Sequence, residues 1–176
     1  DLVREYVEAF REEGIRIGLY YSLVDWHHPD YPAYHDPFHP LRGDPRRKDE
    51  CCNFDRYLEY LHNQVRELCT NYGKIDLLWF DFSYDEFCGE GWRAKELVEM
   101  VRSLQPDVLI NSRLEASGGS LGTLLTNSPA PWSGDFANPE QVVPPMPLMR
   151  PDGTNVCWEA CQTMNNSFGY TYADRN

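Results

Sequence analysis

The chain predicts an α/β fold on a parallel sheet, a (β/α)8-type barrel present in part, with about four βα units. Three observations lead there. Stretches with apolar residues at helical spacing alternate with short β-rich runs. The first two helical stretches stop at glycines, Gly14 and Gly73, and a strand follows almost at once. Each readable strand then ends in polar or aromatic side chains.

Leu2, Tyr6, Val7 and Phe10 space the first helix. The run Ile15-Arg16-Ile17-Gly18-Leu19-Tyr20-Tyr21-Ser22 is β-rich and of strand length. From Asp25 to Asn53 the chain is dense in Pro, His and Asp, a long loop of the kind that carries function. Phe54, Tyr57, Leu58, Leu61, Val65, Leu68 and Tyr72 mark one face of a second helix. A buried strand follows over Ile75–Phe82, then a helix from Trp92 to Leu104 that stops before Pro106. A strand at Val108–Asn111 comes next, then a glycine- and proline-rich irregular section. A short fourth strand is predicted near Asn155–Glu159.

Strands separated by helices must run parallel, joined by crossovers. An open nucleotide-binding sheet would place a glycine-rich turn after its first strand, where this chain has Tyr20-Tyr21-Ser22. A whole barrel needs about 250 residues. The 176 residues also begin inside an amphipathic pattern. We therefore read residues 1–176 as the central portion of a single barrel domain, with the N-terminal strands outside this chain.

Composition narrows the partners. Lys plus Arg number 16 against 28 Asp plus Glu, a formal charge of −12, which repels a phosphate backbone and makes nucleic acid a poor partner. No run approaches the roughly 20 apolar residues of a membrane span. Aromatic residues make up 14% of the chain, and their flat faces suit both cores and the C–H faces of sugars. The cysteines Cys51, Cys52, Cys69, Cys88, Cys157 and Cys161 lack a zinc-ligand pattern and are read as buried or free thiols, with disulfides at Cys51 and Cys52 as the alternative. His27, His28, His35 and His39 cluster in the long loop without helical ligand spacing, since Pro37 interrupts the last pair; no metal site is assigned.

In a parallel barrel the strand C-termini line one mouth. Here they carry Tyr20 with Asp25 and Trp26, Asp81, Asn111 with Arg113, and Trp158 with Glu159. Alternation along the second strand puts Ile75, Leu77, Trp79 and Asp81 on one face, so a carboxylate closes an apolar strand at the mouth. An Asp in that position also suits a helix cap. The catalytic reading requires a second carboxyl, and Glu140, Glu115, Glu159 and Asp135 all lie downstream.

These words resemble a known family. Gly18-Leu19-Tyr20-Tyr21-Ser22 with Asp25-Trp26-His27-His28-Pro29-Asp30-Tyr31 is similar to a stretch of the family 29 glycoside hydrolases, the α-L-fucosidases. So are Asn71-Tyr72-Gly73-Lys74-Ile75-Asp76 with Leu78-Trp79-Phe80-Asp81, and Gly134-Asp135-Phe136 with Pro139-Glu140-Gln141. Cys157-Trp158-Glu159 with Thr163-Met164-Asn165-Asn166-Ser167 and Gly169-Tyr170 completes the series in the family's order. The resemblance implies a barrel, usually followed by a β-sandwich that this chain does not contain, and hydrolysis of terminal α-L-fucose with retention. It makes Asp81 the nucleophile and Glu140, from the Pro-Glu-Gln segment, the acid/base. It also implies substrate contacts at Tyr20, Trp26, Trp79, Arg113 and Trp158. The implied partner is a fucosylated glycan, and two carboxyls need no cofactor. The compartment stays open, with secreted, periplasmic or lysosomal settings implied by the family. Two features depart from the pattern: the family's fucose-binding histidine pair would fall before Asp1, and Phe82 stands where many members carry Gly.

Two other readings survive at this stage. A retaining hydrolase of different specificity would act on other aryl glycosides. A non-catalytic sugar-binding relative would have lost one carboxylate, whereas Asp81 and Glu140 are both present.

Overall fold

A computed structural model describes residues 1–44, 52–117, 121–165 and 167–169. Helix α1 (Leu2–Glu12) starts at Asp1, whose side chain accepts from the Arg4 amide, and Gly14 at φ +71° turns the chain out. It buries Val7 fully, while Leu2 and Phe10 remain exposed. Strand β1 (Gly18–Ser22) follows. Helix α2 (Phe54–Asn71) is capped by Asn53 and buries Tyr57, Leu58, Leu61, Val65 and Cys69, the face that the spacing predicts. Burial pushes the Cys69 thiol up to about 11.

Strand β2 (Leu77–Asp81) pairs in parallel with β1, Tyr20 opposite Trp79 and Ser22 opposite Asp81. Leu78 and Phe80 are fully buried, whereas Leu77, Trp79 and Asp81 are partly open. That is the alternation a sheet packed against helices on one side requires. Ile75 departs from the predicted face: it precedes the strand and is fully buried, with its amide bonded to Gln105 Oε1. A 3₁₀ turn (Gly89–Trp92) leads to α3 (Ala94–Leu104), and β3 (Leu109–Ile110) pairs in parallel with β2. The sheet order is β1-β2-β3. Among the described residues a 3₁₀ turn (Ser112–Leu114) is the last regular element.

The predicted strand at Asn155–Glu159 does not form. Single parallel bridges take its place: Asn111 to Phe136, Ala137 to Trp158 and Glu140 to Cys161. Among the described residues no α-helix follows α3. The observed sheet therefore has three strands, one fewer than expected. Pro139 interrupts the segment that faces Asn155–Glu159, since it has no amide to donate between the bridges at Ala137 and Glu140. The approach to β3 depends on Gly134 at φ +79°, where a Cβ would stand 2.3 Å from the Asn111 carbonyl oxygen. The thiols of Cys69, Cys88, Cys157 and Cys161 are free; Cys51 lies outside the described residues.

Candidate active site

The C-terminal end of β2 presents Asp81 to an open cavity of about 630 Å³. Asn111 fixes that strand end. Its side-chain amide accepts from the Phe80 amide at 2.9 Å and donates to the Phe80 carbonyl at 2.8 Å, completing a ladder that β3 is too short to finish. Asn111 is itself fully buried, so it holds the strand end from behind the cavity.

Three side chains hold Asp81. Tyr20, on the adjoining strand β1 and two residues back from the partner of Asp81, donates its hydroxyl to Oδ2 at 2.9 Å. Arg113 Nη1 donates to Oδ1 at 2.9 Å, and Ser117 Oγ reaches the same oxygen at 3.4 Å. Arg113 Nη2 donates to Glu140 Oε2 at 2.7 Å. One guanidinium thus joins two carboxylates through both arms of its fork. Its Cζ lies over Trp79, 4.5 Å from the ring centroid, and Tyr20 stacks with Trp79 at a centroid separation of 5.6 Å. Arg113 is only 3% exposed, and its Nε is buried with no hydrogen-bond partner. Burial alone would lower its pKa, but the bonds to Glu140 and Asp81 outweigh that and raise it. Burial, then the bond to Asp81, also raises the Tyr20 phenol, which therefore stays protonated as a donor.

Of the sequence-selected residues, Tyr20, Trp79, Asp81, Arg113 and Glu140 line this one cavity. Trp26 and Trp158 do not. The Trp26 indole donates to Asp36 Oδ2 at 2.7 Å in the loop beyond β1. Trp158 lines a separate depression with Leu109, Asp135 and Phe136.

The competing carboxylates have other work. Glu115 Oε2 accepts from Thr123 and Ser133 within its own loop; residues 118–120 of that loop lie outside the described residues. Asp135 pairs with Arg102 and accepts from the Ile110 amide. Glu159 accepts from the Trp79 indole and from Asn138. The loop histidines are also engaged locally: His28 Nδ1 accepts from Asp30 and His39 Nδ1 from Leu41. Among the described residues, no group of three or more His, Cys, Asp or Glu is arranged to hold a metal.

Sequence reasoning missed several contributors. Asn138 supports Glu159, a residue already considered as a second carboxyl, which holds the Trp79 indole, and Cys161 and Phe168 line the cavity; Asn138, Cys161 and Phe168 are the ones missed. None had a signal in spacing, because all come from the irregular section where periodicity carries no information. Backbone conformation adds a mark of its own. Phe82 and Gln141, the residues directly after Asp81 and Glu140, both sit in the left-handed region, at φ 71° and 56°. For a residue with a Cβ that conformation costs on the order of 1 kcal/mol and concentrates at functional sites.

Comparison with known proteins shows what the chain is similar to. A family model described as Alpha-L-fucosidase matches residues 1–176. The solved structure of α-L-fucosidase isoenzyme 1 from Paenibacillus thiaminolyticus is 53% identical, with a TM-score of 0.89 over 99% of this chain and 40% of that one. The α-L-fucosidase AlfC from Lactobacillus casei, solved in complex with α-L-fucose product, is 28% identical, with a TM-score of 0.67 over 100% of this chain and 50% of that one. An α-L-fucosidase of Dictyostelium discoideum is 23% identical over 97% of this chain. The chain spans between 18% and 32% of the length of the curated relatives it matches.

Proposed function

Since the chain belongs to the α-L-fucosidase family, we propose that it carries the catalytic centre of a retaining exo-α-L-fucosidase acting on fucosylated glycans. We read its three-stranded parallel sheet as an arc of a (β/α)8 barrel, with Leu77, Trp79 and Asp81 on the inner face. The observation that carries the proposal is the bridge from Arg113 to both Asp81 and Glu140 in one cavity.

In this reading Asp81 is the nucleophile. Oδ1 is occupied by Arg113 and Ser117, which leaves Oδ2, held by the exposed Tyr20 hydroxyl, to attack the anomeric carbon. As that bond forms, the bond to the leaving oxygen breaks and Glu140 gives the oxygen its proton. Oε2 of Glu140 rests on Arg113, which leaves Oε1 as the oxygen through which the proton passes. In the second step Glu140 takes a proton from water, and the water oxygen displaces Asp81 from the covalent fucosyl ester, restoring the original configuration. Trp79, held by Glu159 and by the Arg113 cation, supplies a flat wall for the sugar.

The test is Asp81→Gly in the full-length protein, assayed on an aryl α-L-fucoside. Turnover should fall by several orders of magnitude, and azide should restore part of it while yielding the glycosyl azide of inverted configuration. Turnover near that of the wild type would overturn the nucleophile assignment.

A further inference from the structure

We propose that Phe82 contacts the leaving-group sugar of the substrate and sets which leaving groups the site accepts, an inference that rests on the fucosidase reading above. Phe82 follows Asp81 by one peptide bond and lies in the left-handed region, at φ 71°. Glycine adopts that conformation freely, so a ring retained here works against the local backbone preference. Core packing does not account for the ring: it is 37% exposed and stands outside the buried cluster beneath the sheet.

What the ring faces is built. Its centroid is 6.4 Å from that of Trp26, on the loop beyond β1. The Trp26 indole is pinned by Asp36, whose fully buried carboxylate also accepts from Tyr31 at 3.0 Å, Tyr84 at 2.9 Å and the Phe38 amide at 2.8 Å. Phe38, 63% exposed, packs edge-on against Tyr84 with centroids 4.9 Å apart. One buried carboxylate thus anchors aromatic residues from the two loops that follow β1 and β2, and Phe82 packs against this cluster through Trp26.

Position identifies the occupant. The cavity that Asp81, Trp79 and Tyr20 line takes the sugar to be attacked. Phe82 does not line that cavity itself; it is the first side chain beyond the strand end that carries Asp81, and in this proposal the group released leaves across that end. A pyranose ring offers a flat C–H face that stacks on an aromatic ring. This also places Trp26, which does not line the cavity, where it supports a substrate contact through Phe82.

The experiment compares kcat/KM on a fucosyl disaccharide with kcat/KM on α-L-fucosyl fluoride, whose leaving group has no face to stack. The full-length wild type is measured beside Phe82→Gly, Phe82→Leu and Phe82→Tyr. The disaccharide-to-fluoride ratio should fall about tenfold in the Gly and Leu variants, through KM for the disaccharide, and recover in Phe82→Tyr. Phe82→Leu keeps apolar bulk without the planar face and carries the test should the Gly variant not fold. A ratio unchanged in both variants, or not recovered by Tyr, overturns the inference and leaves the fucosidase reading standing. A wild type inert on both substrates overturns the two together.

Discussion

Arg113 donates one arm to Asp81 and the other to Glu140, and its shape decides what a substitution there does. An ammonium is a point charge on a flexible stem and cannot hold two carboxylates in a fixed fork. Arg113→Lys should therefore lower kcat/KM on an aryl α-L-fucoside by about 100-fold, the scale on which a single preorganised donor acts. Activity within about threefold of the wild type would show that the bridge is structural. Glu140 is tested through the leaving group. Glu140→Ala should cripple hydrolysis of substrates with poor leaving groups while largely sparing the first step with a dinitrophenyl leaving group, which needs no proton. Equal losses on both would place the proton donor elsewhere.

At the scale of the elements, two polar side chains set the ends of strands and helices that carry the site. Asn111 serves both main-chain groups of buried Phe80, the residue before Asp81. Asn111→Ala should cost about 2–4 kcal/mol in urea unfolding, since a buried donor and a buried acceptor are both left unmet. A loss under about 1 kcal/mol would mean that another group substitutes for the amide. Asp30 ties the long loop to the start of α2, accepting from Arg56 at 2.6 Å and from the Asn53 amide at 3.0 Å. The Arg56 bond holds its carboxyl below the ordinary 3.8. A carboxylate whose folded pKa is depressed contributes stability above its unfolded pKa, and that contribution is lost as the pH falls through the folded value. Asp30→Asn should thus melt below the wild type near neutral pH, and the gap should close as the pH drops below about 4. A gap independent of pH would show that the hydrogen bonds, not the charge, carry the contact.

For the whole molecule, the open face of the sheet is the decisive feature. Among the described residues β1 pairs only with β2, which leaves its other edge without a ladder. Tyr20 is 57% exposed on the same open side as Trp79 and Asp81. An unpaired edge beside a half-covered apolar face is a template for self-association. Produced alone, residues 1–176 should elute as aggregates in size-exclusion chromatography and should not hydrolyse an aryl α-L-fucoside. A monomeric, active preparation would place the domain limits differently from the partial barrel proposed above.

Much of this was legible in the chain itself, and the boundary has a physical cause. Helices α1, α2 and α3 and the alternation of β2 follow from local periodicity, which the backbone geometry enforces over a few residues. Phe82 was visible as an odd residue after Asp81, but only its φ of 71° says why glycine would suit that place. The selection of Glu140 over Glu115, Glu159 and Asp135 as the carboxylate sharing Arg113 with Asp81 is tertiary. It depends on which loop returns to the sheet, and residues 112–161 return by single bridges without a repeating pattern. Spacing along the chain determined the three helices, strands β1 to β3 and the carboxylate at the end of β2, but not the fourth strand expected near Asn155–Glu159. The meeting of Tyr20, Asp81, Arg113 and Glu140, whose positions span 120 residues of irregular and regular chain, was decided by long-range packing, which no local pattern encodes.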